Sequence, residues 1–153
     1  MSFVQKKYQE YFKLNKNIFI AFISSITISA LVAQLLSNEA DYLNTTYTLV
    51  VDYVVYFSTF GGLYYIDNRK KYLLESGHID KTTLRIDLLK IITSLGVSEI
   101  VYTIIRWLLH YYLLSLAYDA YLASITSQVI STAVYMIIVN LSVKMTRLYK
   151  NES

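Results

Sequence analysis

Four long apolar runs constrain this chain of 153 residues more than any other feature of its sequence. They cover residues 17–36, 47–66, 91–114 and 121–143. Each has about the 20 residues that a helix needs to cross the roughly 30 Å hydrocarbon core of a bilayer. With 55% of its residues hydrophobic, the chain is predicted to be all-α: a polytopic membrane protein with a bundle of four transmembrane helices, in one membrane domain of residues 1–153.

The sequence between the runs sets the expected helix boundaries. Gly77 suits the position after a helix end, and Asp80 suits the N-cap of the next helix. With no proline and only four glycines, we expect unbroken helices at about 17–36, 47–76, 81–114 and 121–147. Residues 1–16 carry apolar positions at helical spacing. They are predicted to be a cytoplasmic amphipathic segment that lies on the membrane surface or extends the first helix.

The basic residues indicate an orientation. Thirteen of the fourteen Lys and Arg residues lie outside the apolar runs, in segments that would share one side of a membrane. The positive-inside rule then predicts a multi-pass protein of the cell membrane with both termini in the cytoplasm. The sequon Asn44-Thr45-Thr46 falls in the first outer loop, although so short a motif often arises by chance. The loop between the second and third runs carries a cytoplasmic basic surface, which is either simply solvated or docks a partner: Arg69, Lys70, Lys71, Lys81 and Arg85.

A polar cluster is predicted inside the outer half of the membrane. We measure depth from the outer surface of the membrane, using the rise per residue of a helix. The expected depths are roughly 7 to 8 Å for Asp52, roughly 12 Å for Arg106, roughly 6 Å for His110 and about 10 Å for Gln128. We expect Asp52 to pair with Arg106, with Gln128 nearby. The cluster is either a structural clamp or an anion site for a head group. The clamp is favoured, since one Asp balances one Arg and leaves little net positive charge.

Glu99 is expected deeper, roughly 12 Å from the cytoplasmic end of its helix. No basic residue shares that depth, so Ser24, Ser25 or Tyr135 are the candidate hydrogen-bond partners. A buried carboxylate of this kind suits either transport or a neutral acid that binds a neighbouring helix. Two polar stripes are expected to face each other or a partner: Glu99, Tyr102, Arg106 and His110 on the third helix, and Ser124, Gln128, Ser131 and Tyr135 on the fourth.

No site for catalysis or for a metal emerges from the sequence. His78 and His110 would lie on opposite sides of the membrane, and the chain has no cysteine. Nucleotide, hydrolase and metalloprotease motifs are also missing. We therefore expect no catalytic or metal-binding residue, no cofactor in this chain and no enzymatic activity of its own. The net charge of +3 fits basic membrane flanks, so the expected partners are membrane lipids and other integral-membrane subunits, and no nucleic acid.

The two halves of the chain resemble each other faintly. Residues 26–36 align with residues 99–109 at an offset of 73, and the same offset places Ser58-Thr59 over Ser131-Thr132. Each half would be a helical hairpin that enters from the cytoplasm. The alignment suggests two parallel repeats, although any two apolar hairpins share some similarity.

Residues 44–114 resemble a known family. The stretches NTTYTLVVDYVVYFSTFGGLYYIDNRKKYLLESG and KIITSLGVSEIVYTIIRWLLHYYLL are similar to the X-type accessory subunit of archaeal ammonia monooxygenase. The resemblance implies a non-catalytic helical subunit beside the copper-bearing subunits of a membrane oxidoreductase. An accessory subunit of a larger membrane enzyme complex is the preferred interpretation.

A second, fainter resemblance is to the GtrA-like four-helix proteins, which are implicated in moving polyprenyl-phosphate-linked sugars. It rests on IDNRKKY, with Asn68, Arg69 and Tyr72. In VNLSVKM only Asn140 matches the second copy of the signature, and Lys144 stands where a well-spaced Asn-Arg pair is expected. This resemblance implies a transporter in which Arg69 and Arg106 contact the head group.

Overall fold

The computed structural model describes residues 3–146, and this part of the chain is all-helical, as predicted. A short 3₁₀ turn, Arg69–Lys71, follows the second helix. Among the described residues no strand forms, and a single isolated bridge joins Leu73 to Ile79. The five helices are α1 (Phe3–Leu35), α2 (Asp41–Asn68), α3 (Lys81–Ser94), α4 (Gly96–Ser115) and α5 (Ala120–Thr146).

The four long helices form a bundle. α1 packs against α2 and α5, and α4 packs against the same two helices, while α3 packs on α4. The connections α1–α2 and α4–α5 are a few residues long, and such short connections join antiparallel neighbours. The start of α1, the end of α2 and the whole of α3 therefore meet at one end of the bundle, which we call the basic end. The α1–α2 and α4–α5 turns form the opposite, hairpin end.

Three helices are long and apolar enough to cross a membrane: Phe12–Leu35, Asp41–Lys71 and Ala120–Val139. α3 and α4 meet the same criterion only as a pair, and they are bent by 59° relative to each other. The 20 residues of α4 alone would span about 30 Å, which is the thickness of the hydrocarbon core. The described chain thus has three to four candidate membrane-spanning helices.

Large apolar side chains cover the outward faces of the bundle, while several polar and charged side chains are buried in its core. Ile23, Leu31 and Val54 are about half exposed or more, whereas Asp52 and Arg106 are 1% exposed. Arg106 is the largest fully buried side chain among the described residues. In soluble domains the outward faces are mainly polar, and fully buried ionised groups are rare and paired. The distribution is the one expected of a bundle surrounded by lipid.

Aromatic packing fills the half of the core nearer the basic end. Phe22 lies against Tyr56 and Tyr135, with ring centroids 4.7 and 5.4 Å apart. Tyr102 and Phe60 extend the same cluster. These rings come from all four long helices, so they hold the bundle together below the polar residues of the other half.

The predicted boundaries hold at the end of the first segment and at the start of the fourth. α1 runs without a break from Phe3, so the amphipathic segment expected at 1–16 extends the first helix. α5 matches the prediction of 121–147 to within a residue at its start. Residues 1–2 and 147–153 lie outside the described part of the chain.

The expected helix at 47–76 is wrong at both ends. α2 begins at Asp41 and ends at Asn68, whose Nδ2 donates to the carbonyl of Tyr64 at 2.8 Å. Beyond the 3₁₀ turn the chain doubles back instead of continuing as a helix. Gly77 makes this possible through its φ of +79°, which residues with a Cβ rarely adopt. It is the turn residue of a tight loop, not the residue that ends a long helix.

The expectation of unbroken helices is also wrong at 81–114, where the helix breaks at Leu95. The N–H of Leu95 is shared between the carbonyls of Ile91 and Ile92, and α4 leaves at an angle of 59° to α3. Asp87 of α3 contacts the loop after α2, while α4 packs inside the bundle. One straight helix could not satisfy both contacts.

The predicted N-cap of α3 is confirmed. Asp80 Oδ1 accepts a hydrogen bond from the backbone N–H of Thr83 at 3.0 Å. The Thr83 hydroxyl donates to the other carboxylate oxygen. These bonds favour the ionised form and lower the pKa of Asp80.

Asn44 does not lie in an outer loop. It is 1% exposed within α2, and its Nδ2 donates to the carbonyls of Ala33 and Leu36 at 2.9 and 3.0 Å. The side chain therefore satisfies carbonyls at the end of α1, which the helix itself leaves unpaired. The sequon was misleading because α2 starts six residues earlier than predicted.

Candidate functional site

The Asp52 carboxylate is the centre of the buried polar cluster. Oδ1 accepts a hydrogen bond from Gln128 Nε2 at 2.7 Å, and Oδ2 accepts one from the hydroxyl of Tyr102. Arg106 Nε lies 3.7 Å from Oδ2 and has no hydrogen-bond partner in the described part of the chain. The predicted pairing of Asp52 with Arg106, with Gln128 nearby, is confirmed. It is an ion pair without a direct hydrogen bond.

The rest of the Arg106 guanidinium is held by α5. Nη1 donates to Ser127 and Nη2 donates to Ser124 at 2.9 Å. A guanidinium has five N–H donors, and the two hydroxyls satisfy part of this set without adding charge. One cation and one anion thus share the interior, so the cluster leaves little positive charge for an anionic ligand.

Gln128 connects three helices. Its Nε2 donates to Ser25 at 2.8 Å as well as to Asp52, and its Oε1 accepts from Ser29 at 2.6 Å. The small residues Ser25 and Ser29 therefore do more than permit close helix packing. We call the connected set the four-helix network: Ser25, Ser29, Asp52, Tyr102, Arg106, Ser124, Ser127 and Gln128.

His110 is predicted in this cluster but does not join it by hydrogen bonds. It lies one turn beyond Arg106 on the same face of α4 and is 0% exposed. Neither ring nitrogen has a hydrogen-bond partner among the described residues, and the same holds for the buried hydroxyl of Thr45. His110 therefore occupies the same half of the core, and no described residue forms a hydrogen bond with its ring.

Glu99 sits apart, in the first turn of α4 near the bend. Tyr135 donates to its Oε1 at 3.0 Å, as predicted. Ser25 is instead bonded to Gln128 and to a carbonyl of its own helix. A helix N-terminus carries partial positive charge, so this position favours an acidic side chain.

The two predicted polar stripes lie on α4 and α5 of the structure, and they face each other. Arg106 contacts Ser124, and Glu99 contacts Tyr135. The Arg106 partner Ser127 was not singled out from the sequence. Its spacing of three and four residues from Ser124 and Ser131 was the available signal, because such residues share one helix face.

The predicted basic surface lies at the basic end. Arg69, Lys70 and Lys71 are exposed on the 3₁₀ turn, and Lys81 and Arg85 are exposed on α3. Lys71 pairs with Asp87 of α3. The structure thus gathers these residues at one end. Arg69 is remote from Arg106, which the GtrA resemblance implies as a second head-group contact.

An unpredicted polar group lies nearby, where α1 meets α2. Asp67 Oδ2 accepts from Lys16 at 2.9 Å and from Asn17 Nδ2 at 3.1 Å. Asn17 is 1% exposed. This contact could not be predicted from local spacing, since it joins residues about 50 positions apart.

Among the side chains that the structure describes, no three His, Cys, Asp or Glu residues lie close enough to hold a metal ion. His78 lies in the loop at the basic end, and His110 lies in the core toward the hairpin end. The two histidines are therefore separate, as the sequence indicated.

Comparison of the chain with protein-family models, curated proteins and solved structures gives no match. The two resemblances described above therefore stay hypotheses.

Proposed function

We propose that the chain is a multi-pass protein of the cell membrane, with both termini in the cytoplasm, and that it acts as a non-catalytic accessory subunit of a larger membrane enzyme complex. The four-helix network is the observation that supports this role best. Its charged groups contact other residues of the bundle, and each long helix contributes at least one member. That is the arrangement expected of a clamp that fixes helix register.

The exterior supports the same proposal. Large apolar side chains cover the outward faces of the long helices, including Ile100, Ile104 and Leu108 on α4. Such faces can be covered by lipid or by the helices of other subunits. The proposed partners are therefore integral-membrane proteins and lipids. The sequence resemblance makes an archaeal ammonia monooxygenase one candidate for the parent complex.

Purification from native membranes in a mild detergent tests the role. We expect the chain to migrate on native gels with larger integral-membrane subunits, in a stoichiometry that stays fixed through a second chromatographic step. A chain that elutes alone as a homo-oligomer would contradict the proposal. If that homo-oligomer also reorients lipid-linked sugars in vesicles, the GtrA-like alternative would replace it.

A further inference from the structure

The basic end contains a cleft, and no residue of the four-helix network lines it. It has a volume of about 300 Å³ and lies between α1, the end of α2, the 3₁₀ turn and α3. We call it the basic-end cleft, and its walls are Lys13, Leu14, Asn17, Tyr64, Asn68, Lys71 and Ile91.

The lining combines two kinds of surface. Lys13 and Lys71 supply positive charge, whereas Leu14 and Ile91 are apolar. A phospholipid presents the matching pair of surfaces, a phosphate next to acyl chains. Basic pockets between transmembrane helices on the cytoplasmic side bind the head groups of anionic lipids. Tyr64 completes the wall, and tyrosine is enriched where a membrane meets water.

The local charge balance favours an anion here, in contrast to the core. Lys16 and Lys71 are each paired with a carboxylate, Asp67 and Asp87 respectively. Lys13 forms no such salt bridge among the described residues, so the cleft keeps one positive charge in excess. Lys13 is also exposed, which leaves its ammonium group accessible to a ligand.

Asn17 provides a second, independent indication of a ligand. Its Nδ2 donates to the Asp67 carboxylate. Because a carboxylate only accepts, this contact fixes which way the amide points. Oδ1 is then left buried, with no hydrogen-bond partner among the residues that the structure describes. Asn17 lines the cleft and lies one helical turn from Lys13. Buried acceptors are rarely left unsatisfied, and a hydroxyl of a bound head group would satisfy this one.

We propose that the basic-end cleft binds one anionic phospholipid with a hydroxyl-bearing head group. Its phosphate lies against Lys13 and Lys71, and its head-group hydroxyl donates to Asn17 Oδ1. The site requires membrane insertion but is independent of the accessory role, since neither the network nor a partner subunit contributes to it.

The test measures lipid binding to the purified full chain in detergent by native mass spectrometry. The probes are phosphatidylglycerol and phosphatidylcholine with identical acyl chains. We expect tighter binding of phosphatidylglycerol, and Lys13→Ala should weaken it about fivefold. Lys81→Ala is the matched control, because it removes the same charge from the same end outside the cleft. Equal losses in the two variants, or equal binding of the two lipids, would overturn the proposal.

Two further probes test the head group. Phosphatidylmethanol has the same charge as phosphatidylglycerol but no hydroxyl, so wild-type protein should bind it about fivefold more weakly. Asn17→Leu should abolish that difference, and a difference that persists would overturn the role of Asn17. Glycerol 1-phosphate tests for a soluble ligand. If it displaced the lipid at equal concentration, the assignment to a lipid would be wrong.

Discussion

Arg106 Nε lies 3.7 Å from Asp52 Oδ2, and both side chains are almost completely buried. Removing one member of such a pair leaves an uncompensated charge, which costs about 3–5 kcal/mol in protein interiors. We therefore expect Asp52→Asn and Arg106→Gln each to lower the free energy of unfolding strongly in detergent. The double variant should be more stable than the sum of the two losses predicts, by about 1 kcal/mol or more.

The exposed pair of Lys71 and Asp87 is the control for this cycle. Its side chains are 58% and 19% exposed, and solvent screening limits such pairs to about 0–1 kcal/mol. Strictly additive effects at Asp52 and Arg106 would contradict a direct interaction. If Arg106→Gln left stability unchanged but abolished the function of the parent complex, the anion-site interpretation would replace the clamp.

This pair could be predicted from the sequence because both residues were expected in the same half of the bundle, although α2 begins at Asp41 and so places Asp52 deeper than predicted. Asp52 and Arg106 lie at similar distances from the hairpin end, and charged groups in a bilayer need partners. Ser127 and Tyr102 were harder to assign as their direct partners, since depth does not say which residues of a neighbouring helix face inward.

Two of the three failed helix boundaries, at the end of α2 and at Leu95, lie close to contacts between distant residues. Residues 72–76 contain no helix breaker, but the hydroxyl of Tyr72 donates to Asp87 at 2.8 Å and draws the chain toward α3. The bend at Leu95 lies on the same helix pair, eight residues after Asp87. Local propensity is a weak guide where a contact between distant residues decides the conformation.

Gln128 offers a second prediction. Gln128→Leu keeps a similar volume but removes the hydrogen bonds to Asp52, Ser25 and Ser29, which leaves buried polar groups unpaired. We expect a loss of about 1–3 kcal/mol of unfolding free energy, measured by denaturation in detergent. The adjacent Val129 is 51% exposed, so Val129→Leu should change stability by less than about 0.5 kcal/mol. Equal effects of the two substitutions would count against the network.

Asn44 yields a third prediction. Asn44→Ala removes the side-chain donor to the Ala33 carbonyl, whereas the Leu36 carbonyl keeps the N–H of Glu39. The helix end should therefore lose about 1–3 kcal/mol of stabilisation. Thermal unfolding of the purified protein would detect this loss. Tyr47→Phe, on the exposed face of the same helix, is the control and should unfold like the wild type. Because the Asn44 amide is buried and bonded, glycosidase treatment should leave the mass of the protein unchanged, and a glycan at Asn44 would contradict its position in α2.

The attachment of α3 gives a fourth prediction. Asp87 accepts from Lys71 and Tyr72, so Asp87→Ala should free α3 from the loop that follows α2. Trypsin should then cleave faster at Lys81 and Arg85, while the unfolding of the bundle changes little. Glu75→Ala removes the same charge from the exposed loop and should leave the cleavage rate unaltered. Slow cleavage in both variants would show that α3 is held by its packing on α4.

The proposed orientation can be tested with single cysteines, because the chain has none. Glu39 is exposed in the α1–α2 turn, and Glu75 is exposed in the loop at the basic end. The two turns lie at opposite ends of the bundle, so only one should meet the outside of an intact cell. A membrane-impermeant maleimide should label Glu39→Cys in intact cells and Glu75→Cys only after permeabilisation. The reverse pattern would invert the topology. Labelling of both in intact cells would contradict a bundle that crosses the membrane, and it would remove the reason for burying Asp52 and Arg106 away from both aqueous phases.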